Sequence, residues 1–124
     1  MIQISPTNRV SLIGCRPGIL SVLSTIEAVA DSLGYTLRLT SGSDGKHGVG
    51  SLHPAPHGLA VDVVLLTPFA GALGALDAHQ AARNAIATRL GVGYDIVVEG
   101  PPHLHLHVER DPKKRPLEAW EKGA

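Results

Sequence analysis

Histidine is the residue type whose placement sets this chain apart. Three of its seven histidines, His47, His53 and His57, fall in the stretch Ser41–Leu65, SGSDGKHGVGSLHPAPHGLAVDVVL. This is a glycine- and proline-broken loop that runs into an apolar segment holding one carboxylate, Asp62. Three more stand in EGPPHLHLHVE, where His103, His105 and His107 alternate with Leu104, Leu106 and Val108. Strand side chains point to opposite faces in turn, so this pattern predicts three imidazoles on one face and three aliphatic groups on the other. Two histidine-bearing segments that can face each other suggest a divalent metal site.

Zinc takes imidazole and carboxylate ligands tetrahedrally at ~2.0–2.2 Å, and a catalytic site leaves the fourth position to water. Two histidines and one aspartate from different strands make such an open site. The chain from His53 to Asp62 spans roughly 30 Å if extended. Both can reach one ion only if the chain folds back, and Pro54, Pro56 and Gly58 are the residues to bend it. Activated water needs a general base, and Glu99, just before the histidine strand, is the nearest candidate. Glu109 shares the histidine face by parity but stands further along, as a structural or rim residue. A hydrogen-bonded aspartate at a sheet rim is the plain alternative for Asp62, since a buried carboxylate without a partner is costly. The same ligand types suit the iron sites of facial-triad oxygenases. Those place His and Asp two apart on one strand, a pair absent here. A cupin offers an H-x-H as well, but its acid follows that pair, whereas Asp62 precedes it.

Two helices and four strands must position these groups. Pro17 suits a first helical position, where its missing N–H costs nothing. Ile19, Val22, Leu23, Ile26, Val29, Ala30 and Leu33 recur at helical spacing, and Gly34 follows as a stop. Tyr35–Thr40 reads as a strand with Leu37 and Leu39 to the core. Leu59–Leu65 reads as another, with Asp62 on the face opposite Val61 and Val63. Residues 66–76 read as a loop of small residues. Asp77 with Gln80 resembles a capping box opening a helix that carries Ala82, Ile86 and Leu90 on one face. His79, in its first turn, reads as an exposed residue with no role in the site. Tyr94–Glu99 and His103–Glu109 read as strands of an irregular hairpin broken by Gly100-Pro101-Pro102. Val10–Ile13 reads as a short strand or an arm within residues 1–16, and residues 113–124 as a tail with a turn of helix around Leu117–Trp120.

Composition narrows the function classes. At 124 residues the chain is one domain able to bury a core without staples. Eleven basic and eleven acidic residues balance, so no net field draws it to nucleic acid or anionic lipid. The basic run Lys113–Arg115 reads as solvated. Cys15 is alone, which excludes an internal disulfide framework, and reads as a small buried hydrophobe. No export signal and no membrane-length apolar run are seen, so the expectation is a protein cytoplasmic as synthesised.

The run S-L-H…G-L-A-V-D, Ser51 to Asp62, resembles the S-x-H-x-x-G-x-A-x-D signature of the D-Ala-D-Ala carboxypeptidase-like zinc peptidases of the hedgehog/DD-peptidase fold. That group also carries a C-terminal H-x-H with a glutamate just upstream. Asp44-Gly45-Lys46-His47 and H-L-H-V-E-R-D-P at 105–112 resemble its small bacteriophage-type members and the hedgehog signalling domain. The resemblance covers about residues 17–112. It implies an α+β fold with a central, largely antiparallel sheet packed by two main helices, and a surface zinc cleft. It also implies cleavage of peptide bonds involving D-amino acids in peptidoglycan or its precursors, with phage release to the cell wall or a virion-associated location as possible settings. Carried over, the ligands are His53, Asp62 and one histidine of the doubled H-x-H. Spacing from Glu99 favours His105, with His107 as the alternate and His103 in support. Two residues more than the family pattern separate His53 from Gly58 and bring in His57 as an alternate. His47 matches a histidine that stabilises the oxyanion in some members; Lys46 or Arg38 would grip a substrate carboxylate. A metal-holding, hedgehog-like binding module and a virion structural component without catalysis are the rival readings.

Overall fold

The computed structural model describes residues 15–41, 59–66 and 69–123, and the backbone alone of residues 2–4 and of Ser41. The elements are β1 (Ile2–Ile4), α1 (Pro17–Leu33), β2 (Thr36–Ser41), β3 (Ala60–Leu66), α2 (Gly71–Leu90), β4 (Tyr94–Glu99), β5 (His105–Arg110) and α3 (Ala119–Lys122). They form an α+β domain. The five-stranded sheet has the order β1-β2-β3-β5-β4, with β1 parallel to β2 and every other pair antiparallel. No helix among the described residues is long and apolar enough to cross a membrane.

α1 starts and stops as its sequence dictates. Pro17 opens it, and Gly34 closes it in the left-handed conformation at φ 83°. The N–H of Tyr35 reaches back to the Ala30 carbonyl at 2.8 Å and that of Gly34 to Asp31 at 3.1 Å, the paired bonds of a Schellman stop. Its stripe of Ile19, Val22, Leu23, Ile26, Val29 and Ala30 is buried. It packs with Ala78, Ala82 and Ile86 of α2 on the sheet face made by Leu37, Leu39, Val61, Val63, Leu65, Ile96, Leu106 and Val108. Both long helices therefore cover one face, and the alternate strand positions look away from them. Arg83 of α2 reaches over the edge strand, where its Nε donates to the Ile96 carbonyl at 3.1 Å.

Several boundaries depart from the sequence reading. α2 begins at Gly71, within the stretch read as a loop, and its N-cap Ala70 makes no side-chain cap bond. Asp77 thus lies inside the helix, and the Asp77–Gln80 pair is no capping box. Gly71–Leu76 extends the helix although Gly71, Ala72 and Leu73 are exposed; its alanines and leucines are strong helix formers. β5 begins at His105, so His103 belongs to the turn before it and is exposed. A strand at Ile2–Ile4 joins the sheet beside β2; the segment Val10–Ile13 lies outside the described residues. Half-buried Cys15 packs against the core.

Residues 111–123 are docked on the domain, in contrast to the tail expected there. Arg110 and Glu121 are both 0 % exposed and pair at 2.7 Å. Arg110 Nη1 donates to the carbonyls of Gly93, Asp111 and Arg115, and Nη2 to Pro116 and the second Glu121 oxygen. Gly18 of α1 lets this end of the chain approach closely: a Cβ there would lie 2.9 Å from that of Glu121. The Lys113–Arg115 run is likewise engaged, Lys114 with Asp95 and Arg115 with Glu121 and the Val92 carbonyl.

Candidate metal centre

Register places the site on the sheet face opposite the helices. Val61 and Val63 point to the core, so Asp62 points away from it; Leu106 and Val108 do the same for His105, His107 and Glu109. Across the ladders, Asp62 of β3 stands opposite His107 of β5, and His107 stands opposite Val97 of β4. One step along, Glu99 stands opposite His105. The expected histidine face thus holds two imidazoles, with the third moved into the turn.

Asp62 is the focus of the cluster. Its Oδ1 is 2.7 Å from His107 Nδ1 and 3.8 Å from His105 Nε2. Each ring is oriented from its other nitrogen. His105 Nδ1 donates to the His103 carbonyl at 2.7 Å, which leaves the Nε2 lone pair turned to Asp62. His103 therefore supports the site through its backbone. His107 Nε2 lies 2.8 Å from Glu109 Oε1, so this imidazole bridges two carboxylates. Carboxylates only accept, so both ring nitrogens carry protons. The Asp62 bond, aided by the Glu109 bond and opposed by burial, pushes the His107 pKa up to about 9. Thr40 donates to the Asp62 backbone carbonyl at 3.2 Å, beside the register shift between Leu39 and Ser41.

Imidazole nitrogens and a carboxylate oxygen suit zinc, and the outer bonds to a backbone carbonyl and a carboxylate are those that fix ligating histidines. Two ligands of a tetrahedral ion at ~2.0 Å stand about 3.3 Å apart. The two Asp62 distances bracket that value. No group of three or more His, Cys, Asp or Glu among the described residues is arranged to hold a metal by itself. A complete set would draw on Asp62, one of His105 and His107, and a ligand from elsewhere. His53 and His57 lie outside the described residues, as do Lys46 and His47.

Two residues play parts the sequence did not disclose. Glu109, read as a structural or rim residue, binds His107 directly. His79, read as exposed, is 1 % exposed on the core side of the sheet. Because α2 starts six residues early, His79 lies in its third turn. β3 runs past its last pair with β5, Val63–Leu106, which leaves the Leu65 N–H without a strand partner. His79 Nε2 accepts it at 3.1 Å, while its Nδ1–H donates to the Ala75 carbonyl at 2.8 Å. This arrangement requires the neutral ring, and burial, outweighing the raising effect of the Ala75 bond, holds its pKa below 6.5. The sequence reading gives the two strands seven residues each, 59–65 and 103–109, so strand length offered no sign of it.

No family model, curated protein or solved structure matches the chain.

Proposed function

We propose that the chain is a zinc-dependent peptidase of the hedgehog/DD-peptidase fold, acting on peptide bonds that involve D-amino acids in peptidoglycan or its precursors. The observation that carries this reading is the convergence of His105 Nε2 and His107 Nδ1 on one oxygen of Asp62, with each ring oriented from behind. Asp62 and His105 would hold the ion together with His53, for which His57 is the alternate. His107 is the alternate on β5, where it would have to give up the proton it shares with Asp62 or with Glu109. When bound, zinc supplies Lewis-acid polarisation of the scissile carbonyl and a water of lowered pKa.

The chain's own groups do the rest. Glu99 lies at the end of β4, exposed and directly across from His105, on the same face. From there it accepts the proton of the attacking water and passes it to the leaving amine. His47, by the family pattern, stabilises the developing oxyanion. The choice of ligand on β5 sets how far Glu99 stands from the reaction, because His107 is nearly 7 Å further along the strand (~3.4 Å per residue).

The test is hydrolysis of purified peptidoglycan fragments by zinc-loaded protein, wild type against Glu99→Gln. The expected result is turnover by the wild type and a loss of at least about 100-fold in the variant, with zinc content retained. Zinc-loaded wild type that binds fragments without cutting them would favour the binding-module reading instead.

A further inference from the structure

We propose that His107 is a positioning residue rather than a metal ligand: with Glu109 behind it, it clamps Asp62 so that this carboxylate and His105 can share the ion. The inference rests on the metal centre of the peptidase reading above and deepens it by dividing the two β5 histidines between ligand and support. His107 stands directly opposite Asp62 in the β3–β5 ladder, and its Nδ1 lies 2.7 Å from Asp62 Oδ1. Its Nε2 lies 2.8 Å from Oε1 of Glu109, two residues along on the same face. An ion taken at either nitrogen would displace a carboxylate from it.

Distance separates the two histidines as well. Two ligands of a tetrahedral ion stand about 3.3 Å apart. The 2.7 Å between His107 Nδ1 and Asp62 Oδ1 is hydrogen-bond length, too short for an ion to lie between them. His105 is the diagonal neighbour of Asp62, because Val63 pairs with Leu106 and His105 therefore flanks Val64. Its Nε2 stands 3.8 Å from Oδ1, beyond hydrogen-bond reach, with its lone pair turned that way by the Nδ1 bond to the His103 carbonyl. An ionised carboxylate offers about four lone-pair sites, so a His107 bond and a metal bond are compatible on one aspartate.

The charges around Glu109 fit this role. Glu109 stands opposite Asp95 in the β4–β5 ladder, a like-charge pair that repels unless each member is matched. Lys114 pairs with Asp95 and His107 with Glu109, so each carboxylate has its own cation. Arg38 of β2 also looks out on this face, between buried Leu37 and Leu39, but it stands opposite Val64 and makes no ion pair with a described carboxylate. Glu109 therefore forms the base of the clamp and the His107 ring its arm. A carboxylate already held by such an arm loses less rotational freedom when the ion arrives, which is how outer bonds raise metal affinity.

Zinc competition titration tests the clamp without turnover, on wild type, His107→Ala, His107→Asn, Glu109→Gln and His105→Ala. The expected result for His107→Ala is a loss of about 10–100-fold in zinc affinity, with one zinc per chain still held at saturation. His107→Asn should recover much of that loss, because its amide N–H stands where Nδ1–H stood. Glu109→Gln should lose affinity too, by less than His107→Ala. Cobalt-loaded His107→Asn should keep the wild-type visible absorption, which reports the ligand set, while His105→Ala changes it. If His107→Ala does not fold, Glu109→Gln and the cobalt spectra carry the test. Unchanged zinc affinity in His107→Ala or Glu109→Gln, or a cobalt spectrum altered by His107→Asn and not by His105→Ala, overturns the proposal. Hydrolysis of peptidoglycan fragments separates it from the reading it rests on. If fragments are not cut while zinc affinity follows the expected pattern, the clamp stands and the peptidase reading falls. If they are cut while His107→Ala binds zinc as tightly as wild type, the clamp falls and the peptidase reading stands.

Discussion

Replacing Glu121 with alanine should be among the most damaging single changes in the chain, although it lies far from the histidines in sequence. Arg110 and Glu121 are both solvent-inaccessible, and the carboxylate takes two bonds from the guanidinium, at 2.7 and 3.2 Å. It also accepts from Arg115 at 3.3 Å and from the Glu118 N–H at 3.1 Å. Removing it leaves a buried cation held only by carbonyl dipoles and the Tyr94 ring, whose centroid is 5.6 Å away. Breaking a buried pair in this way costs about 3–5 kcal/mol, a large part of the ~5–15 kcal/mol that holds a domain folded. At about 3–5 °C per kcal/mol for this length, Tm should fall by about 10–25 °C. Arg110 neighbours Glu109 and shares β5 with His105 and His107, so the loss should also loosen the face that carries Asp62 and these histidines. Glu121→Gln keeps the shape and loses the charge, and should cost less. The Arg110 guanidinium holds the Glu121 carboxyl below its ordinary 4.5. The stabilisation is therefore complete above pH 4.5 and is lost as pH falls through the lower folded value. Chemical denaturation of wild type, Glu121→Ala and Glu121→Gln at pH 7 and in acid tests all three points. A loss under about 1 kcal/mol for the alanine variant at pH 7 would refute the reasoning.

Two further outcomes follow from the site and its support. Purified protein should bind about one zinc per chain, measured by elemental analysis and competition titration; Asp62→Ala should abolish binding, and His105→Ala should weaken it by more than tenfold. Full retention in His105→Ala with loss in His107→Ala would move the β5 ligand to His107, and binding unaffected by Asp62→Ala would remove the metal centre. The lowered pKa of His79 means that its contribution is complete above pH 6.5 and declines as pH drops below it, because the unfolded chain then takes up a proton that the buried ring resists. Denaturation of His79→Gln should show a lower stability than wild type at pH 7.5, by about 1–3 kcal/mol, and a gap that narrows toward pH 5; a constant gap would show that the neutral ring is not what matters.

The candidate site was partly legible because strand alternation is a local rule. His105, His107 and Asp62 were assigned to their outward faces from the parity of Val61, Val63, Leu106 and Val108 alone, and β4 was read with its observed ends. His103 was misplaced because parity says nothing about where a strand begins, and the Gly100-Pro101-Pro102 turn holds it back from β5. His79 and the start of α2 were misread for a related reason. A capping pair is a weak local preference, worth about 1 kcal/mol, and the helix-forming alanines and leucines of 71–76 carry the helix past it.

Sequence alone determined the length and stripe of α1, bounded by Pro17 and Gly34, and the outward face of Asp62, because backbone chemistry and periodicity act within a few residues. It also supplied the histidine-rich composition that makes a metal reading worth testing. Only the tertiary structure decided that His107 stands opposite Asp62 and His105 opposite Glu99, since register joins residues forty-five positions apart for the first pair and six for the second. It likewise decided the partners of His79, Arg110 and Glu121. A polar side chain enters the interior only where a complementary group is waiting, and whether one waits depends on segments that meet after the chain has folded.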